Sequence, residues 1–237
     1  MENILEENLT AGLAAWGLSV DTRALRRFQR YYEALMEKNR VMNLTAIEGE
    51  ADTARLHFLD SLSPLLLFPL EEKSVIDVGT GAGFPGLPLK IACPGMSLTL
   101  LDSQKKRVDF LWETCTSLEL EDVECLHARA EECTALLRES FDFALSRAVA
   151  RLNVLCELCL PLVKVGGVFL ALKGPAVSEE LEEARRAVTL LGGEVEQIFP
   201  YTLPGEETGH SIAVIRKTSS TPKKFPRRFA QIKKAPL

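Results

Sequence analysis

The chain has 237 residues, 46% hydrophobic and 26% charged, a balance that excludes a disordered or fibrous protein and suits one α/β domain with a modest extension. Its net charge of −5 is unevenly spread, because residues 216–237 carry eight basic and no acidic side chains and leave about −13 on the remainder. Six scattered cysteines argue against a secreted disulfide scaffold, and no apolar run reaches membrane-spanning length.

The acidic start, MENILEENLTAG, lacks the basic and apolar regions of a secretory signal and predicts a cytoplasmic protein. Residues 1–70 predict a helical extension. After a candidate N-cap at Asp21, Leu25, Phe28, Tyr32 and Leu35 recur every three or four residues as far as Asn39, while Arg23, Arg26, Arg27 and Arg30 mostly fall on other faces. That pattern is an amphipathic helix with a basic side. Asn43-Leu44-Thr45 interrupts it, and Leu56, Leu59, Leu62 and Leu66 predict a further helix over 52–67.

From residue 74, short strand-like runs alternate with helical patterns: SVIDV (74–78), SLTLL (97–101), VECLH (123–127), FDFALS (141–146) and VFLAL (168–172). Alternation of this kind predicts a parallel sheet. EVEQIFPYTL (194–203) and HSIAVIRK (210–217) then follow one another across the turn-rich PGEETG, so the last two strands are expected to pair antiparallel. The expected fold is an α/β, Rossmann-like class I methyltransferase domain over 71–217. It has a seven-stranded, mostly parallel sheet with helices on both faces, and a basic tail follows over 218–237. From charge alone that tail either attracts a polyanion such as RNA or is a solvated segment that merely aids solubility.

The stretch Val75-Ile76-Asp77-Val78-Gly79-Thr80-Gly81-Ala82-Gly83-Phe84-Pro85-Gly86 is a strand running into a glycine-dense turn. Residues without a Cβ let a ligand lie against the main chain at the carboxyl edge of the sheet. Gly81, Gly83 and Gly86 also satisfy G-x-G-x-x-G, which keeps a dinucleotide as the alternative. S-adenosylmethionine (AdoMet) is favoured by Asp77 ahead of the first glycine, where a carboxylate can meet a cationic methionine end, and by the closing strand pair. Asp102, at the end of the second strand, has the spacing of an acceptor for a ribose diol or of a helix N-cap. Ala130-Glu131, after the third strand, falls where an adenine edge would lie.

The fourth strand is followed by Ser146-Arg147-Ala148 rather than a proline-rich amino-methylation loop. Cys156 and Cys159 sit a helical turn apart in an apolar segment, which suits core packing rather than nucleophilic or metal chemistry, and no metal is expected. Lys173 lies after the fifth strand without the acidic partner that ribose O-methylation usually recruits. A target needing no deprotonation remains, and guanine N7 fits. Arg147 is then a positioning residue for base, phosphate or cofactor.

Taken together, Lys38 to Ile47 (KNRVMNLTAI), His57 to Leu62 (HFLDSL), Asp77 to Pro88 and Ser146-Arg147-Ala148 resemble the ribosomal RNA small subunit methyltransferase G family, also called glucose-inhibited division protein B, over nearly the whole chain. The resemblance implies an AdoMet enzyme making 7-methylguanosine in bacterial 16S rRNA, with the RNA or the small ribosomal subunit as partner. It implies cofactor contacts at Gly79, Phe84, Asp102-Ser103-Gln104, Ala130-Glu131 and Arg147, beside the motif residues Asp77, Gly81 and Gly83. Asn43, His57 and Asp60 become a candidate substrate wall, each also open to a plain capping or core hydrogen-bond reading, with Lys173 and the tail residues Lys223, Lys224, Arg227 and Arg228 as further RNA contacts. A monomer is expected. The competing readings are a small-molecule methyltransferase and a non-catalytic RNA-binding or AdoMet-sensing protein.

Overall fold

The computed structural model describes residues 3–206 and 209–237, so part of the PGEETG turn and the first two residues of the acidic N-terminus lie outside the described residues. Helix α1 (Ile4–Ala15) is capped by Asn3, whose side chain accepts from Glu6 N. Helix α2 (Thr22–Met42) begins where the sequence predicts, with Asp21 Oδ1 accepting from Ala24 N at 2.7 Å. It continues past Asn39 and stops at Asn43, which takes the left-handed conformation (φ 48°) open to asparagine and closed to most side chains.

The single helix expected over 52–67 is instead four pieces. They are α3 (Glu50–Asp52), a π-helical turn (Thr53–Leu59), α4 (Asp60–Leu62) and a 3-10 turn (Ser63–Leu66) containing Pro64. A leucine every three or four residues satisfies all of these forms, so the apolar pattern does not reveal the change of winding. His57, Asp60 and Ser61 are all buried in this segment.

The sheet contains β1 (Ser74–Val78), β2 (Ser97–Asp102), β3 (Val123–His127), β4 (Phe141–Arg147), β5 (Val163–Lys173), β6 (Gly193–Tyr201) and β7 (His210–Lys217), in the order β3-β2-β1-β4-β5-β7-β6. Strand β7 is antiparallel to both β5 and β6, as the short final connection predicts. Between and after the strands come α5 (Gly86–Ala92), α6 (Lys105–Ser117), α7 (Ala130–Leu137), α8 (Leu152–Cys159), α9 (Val177–Leu190) and α10 (Phe229–Lys234).

Alternate strand residues enter two cores. Val75, Leu100, Leu145 and Leu170 pack with α1, α2 and the 50–66 segment, whereas Ile76, Val78, Ala144 and Phe169 pack with α8 and α9. The N-terminal 70 residues therefore share a core with the sheet. The basic side of α2 takes part in this docking: Arg27, 8% exposed, donates to Leu118 O at 2.9 Å and Glu119 O at 2.6 Å, and Arg30 donates to Ser117 O. These carbonyls end α6 and have no partner within the helix.

The basic tail is likewise a packed element and not a free arm. Lys217 is buried at the end of β7, where its Nζ donates to Leu160 O at 2.6 Å and lies 3.3 Å from Glu139; burial lowers it to about 8 against that carboxylate's opposing pull. Phe225 and Ile232 enter the second core. Arg227 donates its main-chain N–H to Glu157 at 2.8 Å, Nε at 2.9 Å and Nη2 at 2.6 Å, and Glu157 is fully buried. Replacing Arg227 by Ala strands a buried carboxylate. The expected loss in urea unfolding is about 3 kcal/mol, at the low end for a broken buried pair because the main-chain donor survives. A loss below about 0.5 kcal/mol, the level of an ordinary surface change, contradicts this structural role.

Candidate active site

At the carboxyl edge, the sheet order reverses between β1 and β4, which is where open α/β sheets bind ligands. The turn after β1 is built by two carboxylates. Asp77, fully buried, accepts through Oδ2 from Thr80 Oγ1 at 2.7 Å and Gly86 N at 2.8 Å. Burial raises it to about 6, against those two hydrogen bonds and the Arg147 charge. Its Oδ1 is buried without a partner. Asp102, 4% exposed, accepts from Gly81 N at 3.0 Å and Gln104 N at 2.8 Å, tying the glycine turn to the start of α6.

Gly79 (φ +74°) and Gly81 (φ +62°) both adopt the left-handed conformation. A Cβ on Gly79 would lie 2.5 Å from Val149 Cγ2, while one on Gly81 would meet nothing within 4 Å and would project into open space. A cleft of about 180 Å³ opens here, lined by Gly79, Asp102, Ser103, Ala130, Glu131 and Phe229 among others. An unpartnered buried carboxylate oxygen, a main chain stripped of side chains and a second carboxylate at the next strand end suit a ligand with a cationic amino-acid end and a sugar diol. These residues fit AdoMet.

A second cleft of about 610 Å³ begins on the other side of Val149, lined by His57, Asp60, Arg147, Val149, Tyr201 and His210 among others. Arg147, the last residue of β4, organises its wall. Nη1 donates to Asp60 Oδ2 at 2.7 Å and Leu56 O at 3.3 Å, and Nη2 donates to His57 Nδ1 at 3.2 Å. The guanidinium carbon lies 4.9 Å from the centroid of the Phe84 ring, on which His57 stacks at 4.3 Å.

A guanidinium only donates, so His57 Nδ1 must accept and Nε2 must carry the proton toward Thr45 Oγ1 at 2.7 Å. Burial and then the Arg147 charge lower His57 to about 3, which keeps it neutral and fixed. Asp60 also accepts from Tyr201 Oη at 2.7 Å and lies 3.2 Å from His210 Nδ1. Burial raises its carboxyl, but the His210 bond, the Arg147 charge and the Tyr201 bond together hold it below the ordinary carboxylate range. The His210 imidazole, bonded to Asp60, is raised above its own ordinary value.

The back of the loop between β4 and α8 is held by Lys173, whose Nζ donates to Ala150 O at 2.6 Å and lies 2.7 Å from Glu180 Oε2. The same carboxylate oxygen accepts from Leu152 N at 2.8 Å. Cys156 and Cys159 are fully buried, and burial pushes both thiols well above their ordinary range.

Residues 24–205, which contain the main-chain turn, Asp102 and Arg147 with its partners Leu56, His57 and Asp60, match the sequence model of rRNA small subunit methyltransferase G. The chain belongs to the ribosomal RNA small subunit methyltransferase G family. The family member from Alkaliphilus oremlandii is 47% identical over 98% of this chain and 99% of its own, and that from Bacillus velezensis is 46% identical over 98% of each. Among solved structures, an Aquifex aeolicus SAM-dependent methyltransferase is similar with TM-score 0.51 and 21% identity over 69% of this chain and 92% of its own. TYW2 from M. jannaschii, solved in complex with AdoMet, has TM-score 0.55 and 14% identity over 68% of this chain and 76% of its own. These two likenesses concern the fold.

In this chain, Gly79, Asp102, Ser103, Ala130 and Glu131 meet around the first cleft, while His57, Asp60, Lys173 and Arg147 meet around the second. Phe84 is buried beneath the second group rather than placed in the lining of the first. Gly81 shapes the turn, and Gly83 turns at φ +108° against Leu87 and the Tyr31 hydroxyl. Gln104 is exposed at the head of α6. Asn43 serves as the α2 cap, and Lys173 is tied down as a brace instead of standing free as a base. Lys223, Lys224 and Arg228 are exposed on the packed tail. Sequence reasoning missed Val149, which lines both clefts, and Phe229, which brings the tail into the first. An apolar residue in the Ser146-Arg147-Ala148-Val149 loop was the only signal for the former.

Proposed function

We propose that this methyltransferase transfers a methyl group from AdoMet to N7 of a guanosine in bacterial 16S rRNA, acting in the cytoplasm by positioning and without a protein general base. AdoMet, when bound, supplies a methyl group activated by its sulfonium. Asp77 Oδ1 and the Gly79–Gly81 main chain would hold its methionine end, and Asp102 its ribose. The observation that carries the reading is the state of the second cleft, where the titratable side chains are already engaged. His57 uses both ring nitrogens, Asp60 accepts from several donors, and Lys173 and Glu180 hold each other and the loop.

Guanine N7 suits such a wall. Its in-plane lone pair is free at neutral pH, so the new N–C bond forms as the sulfonium C–S bond breaks and no proton needs removing. The positive charge passes from sulfur to the purine. Arg147, Asp60 and His57 fix the shape of the wall, which is what a reaction governed by alignment requires. Exposed Lys223, Lys224 and Arg228 would supply phosphate contacts at the periphery. Asn43, Lys173 and Arg227 support the fold around the site rather than touch RNA.

The single-turnover rate at saturating AdoMet and RNA is expected to stay flat between about pH 6 and 9, whereas a base-dependent transfer follows that base's titration. Cofactor must be kept in excess at the acid end. Asp77 takes up a proton as the pH falls through about 6, which removes the carboxylate favoured by a cationic ligand and weakens AdoMet binding. A rate limb that persists under saturation and also in a His210→Gln variant, which removes the imidazole raised toward this window, contradicts the base-free reading.

A further inference from the structure

We propose that Phe229 is an adenine-binding residue, so that the C-terminal segment completes the AdoMet site; the proposal rests on the AdoMet reading of the first cleft. Around Asp102 that cleft is lined by apolar groups, namely Val78, Leu101, Val149, Leu158 and Phe229. A slot with an apolar floor and two carboxylates at its rim, Asp102 and Glu131, suits a flat purine attached to a diol. Phe229 is the only aromatic side chain among the described residues lining it.

The ring is firmly held in place. It is half-buried against the second core, and its neighbours in sequence are anchored on both sides. Phe225 and Ile232 are buried, Arg227 grips Glu157, and Arg138 donates to the carbonyls of Thr221 and Phe225. The guanidinium of Arg129, next to Ala130 in the cleft wall, lies 5.6 Å from the ring centroid. These anchors together fix where the Phe229 ring meets the cleft. Rigid aromatic surface is an effective partner for a purine, because stacking gains contact without ordering a flexible chain.

The placement also explains why a charge-based reading of the tail is incomplete. Arg228 and Lys233 line an adjoining groove of about 700 Å³ that shares Arg129, Glu131 and Phe229 with the cofactor cleft. The basic segment therefore reaches the cofactor through its one half-buried aromatic ring, whatever its cations do.

Titration calorimetry on the full chain, with S-adenosylhomocysteine and with 5′-methylthioadenosine, tests the proposal. Phe229→Ala is expected to weaken both ligands about tenfold, the size of a lost aromatic stacking contact, since both carry the adenine. Phe229→Trp should stay within about threefold of the parent, because it keeps an aromatic face. If the Ala variant unfolds, Phe229→Leu keeps apolar bulk without the planar ring and should still lose about fivefold. Affinity within about twofold of the parent in a folded Ala or Leu variant overturns the proposal, as does a loss for S-adenosylhomocysteine that 5′-methylthioadenosine does not share. Failure of the parent protein to bind either ligand would instead remove the AdoMet reading itself.

Discussion

Arg147→Ala is expected to lower the single-turnover rate of methyl transfer by about a hundredfold while leaving the pH profile unchanged in shape, because the side chain aligns the substrate wall and exchanges no proton. One guanidinium holds Asp60, the Leu56 carbonyl and His57, and lies against Phe84. Its removal frees the His57 ring and leaves Asp60 with its remaining partners Tyr201 and His210. The pair it breaks is nearly buried, with side-chain exposures of 15% and 8%, so a stability loss of about 3 kcal/mol should accompany the kinetic defect. Arg147→Lys separates charge from geometry. A lysine keeps the cation for Asp60 but lacks the planar fork, so it should recover stability more than rate. A folded Arg147→Ala enzyme working within about threefold of the parent would place the alignment elsewhere.

Gly81→Val should severely weaken cofactor binding while the sheet stays folded. The residue sits at φ +62°, where a β-branched side chain is strained, and a Cβ there meets no protein atom within 4 Å. The protein therefore loses only about 1–2 kcal/mol of stability from backbone strain. The ligand loses far more, because the new side chain occupies the space beside the main chain that the turn leaves open. S-adenosylhomocysteine affinity is expected to fall on the order of a hundredfold or more, about 3 kcal/mol. Unchanged affinity in a folded protein would mean that the glycine turn shapes the backbone and does not receive the cofactor.

Much of this architecture is legible in the amino-acid order because its signals are local. Strand runs such as SVIDV and HSIAVIRK coincide with β1 and β7, since short apolar runs bounded by turns leave few alternatives. Asp21 caps α2 because a carboxylate three residues ahead of an open N–H needs nothing distant. The glycine turn and Asp102 were readable for the same reason.

What escaped the sequence is what depends on remote partners. Arg27 and Arg30 look like a solvated basic face until the carbonyls ending α6 are set against them. Arg227 looks like an RNA contact until Glu157, 70 positions away, is found buried beneath it. Lys217 counts as tail charge in composition, yet strand alternation turns it into the protein. His57 and Asp60 could be selected as a cluster, but not the direction of their bonds, because Arg147 reaches them across 90 and 87 positions. The π-helical turn that carries His57 inward leaves no mark on a three-or-four-residue leucine pattern.

The proposed reaction is a methyl transfer to guanine N7 in small-subunit ribosomal RNA. Its most direct test is incubation of the purified protein and AdoMet with total RNA from cells lacking the enzyme, then separation of the ribosomal RNAs and mass analysis of their nucleosides. The predicted result is 7-methylguanosine gained in 16S rRNA; a methyl group on an exocyclic amine, a ring carbon or a ribose oxygen would contradict it.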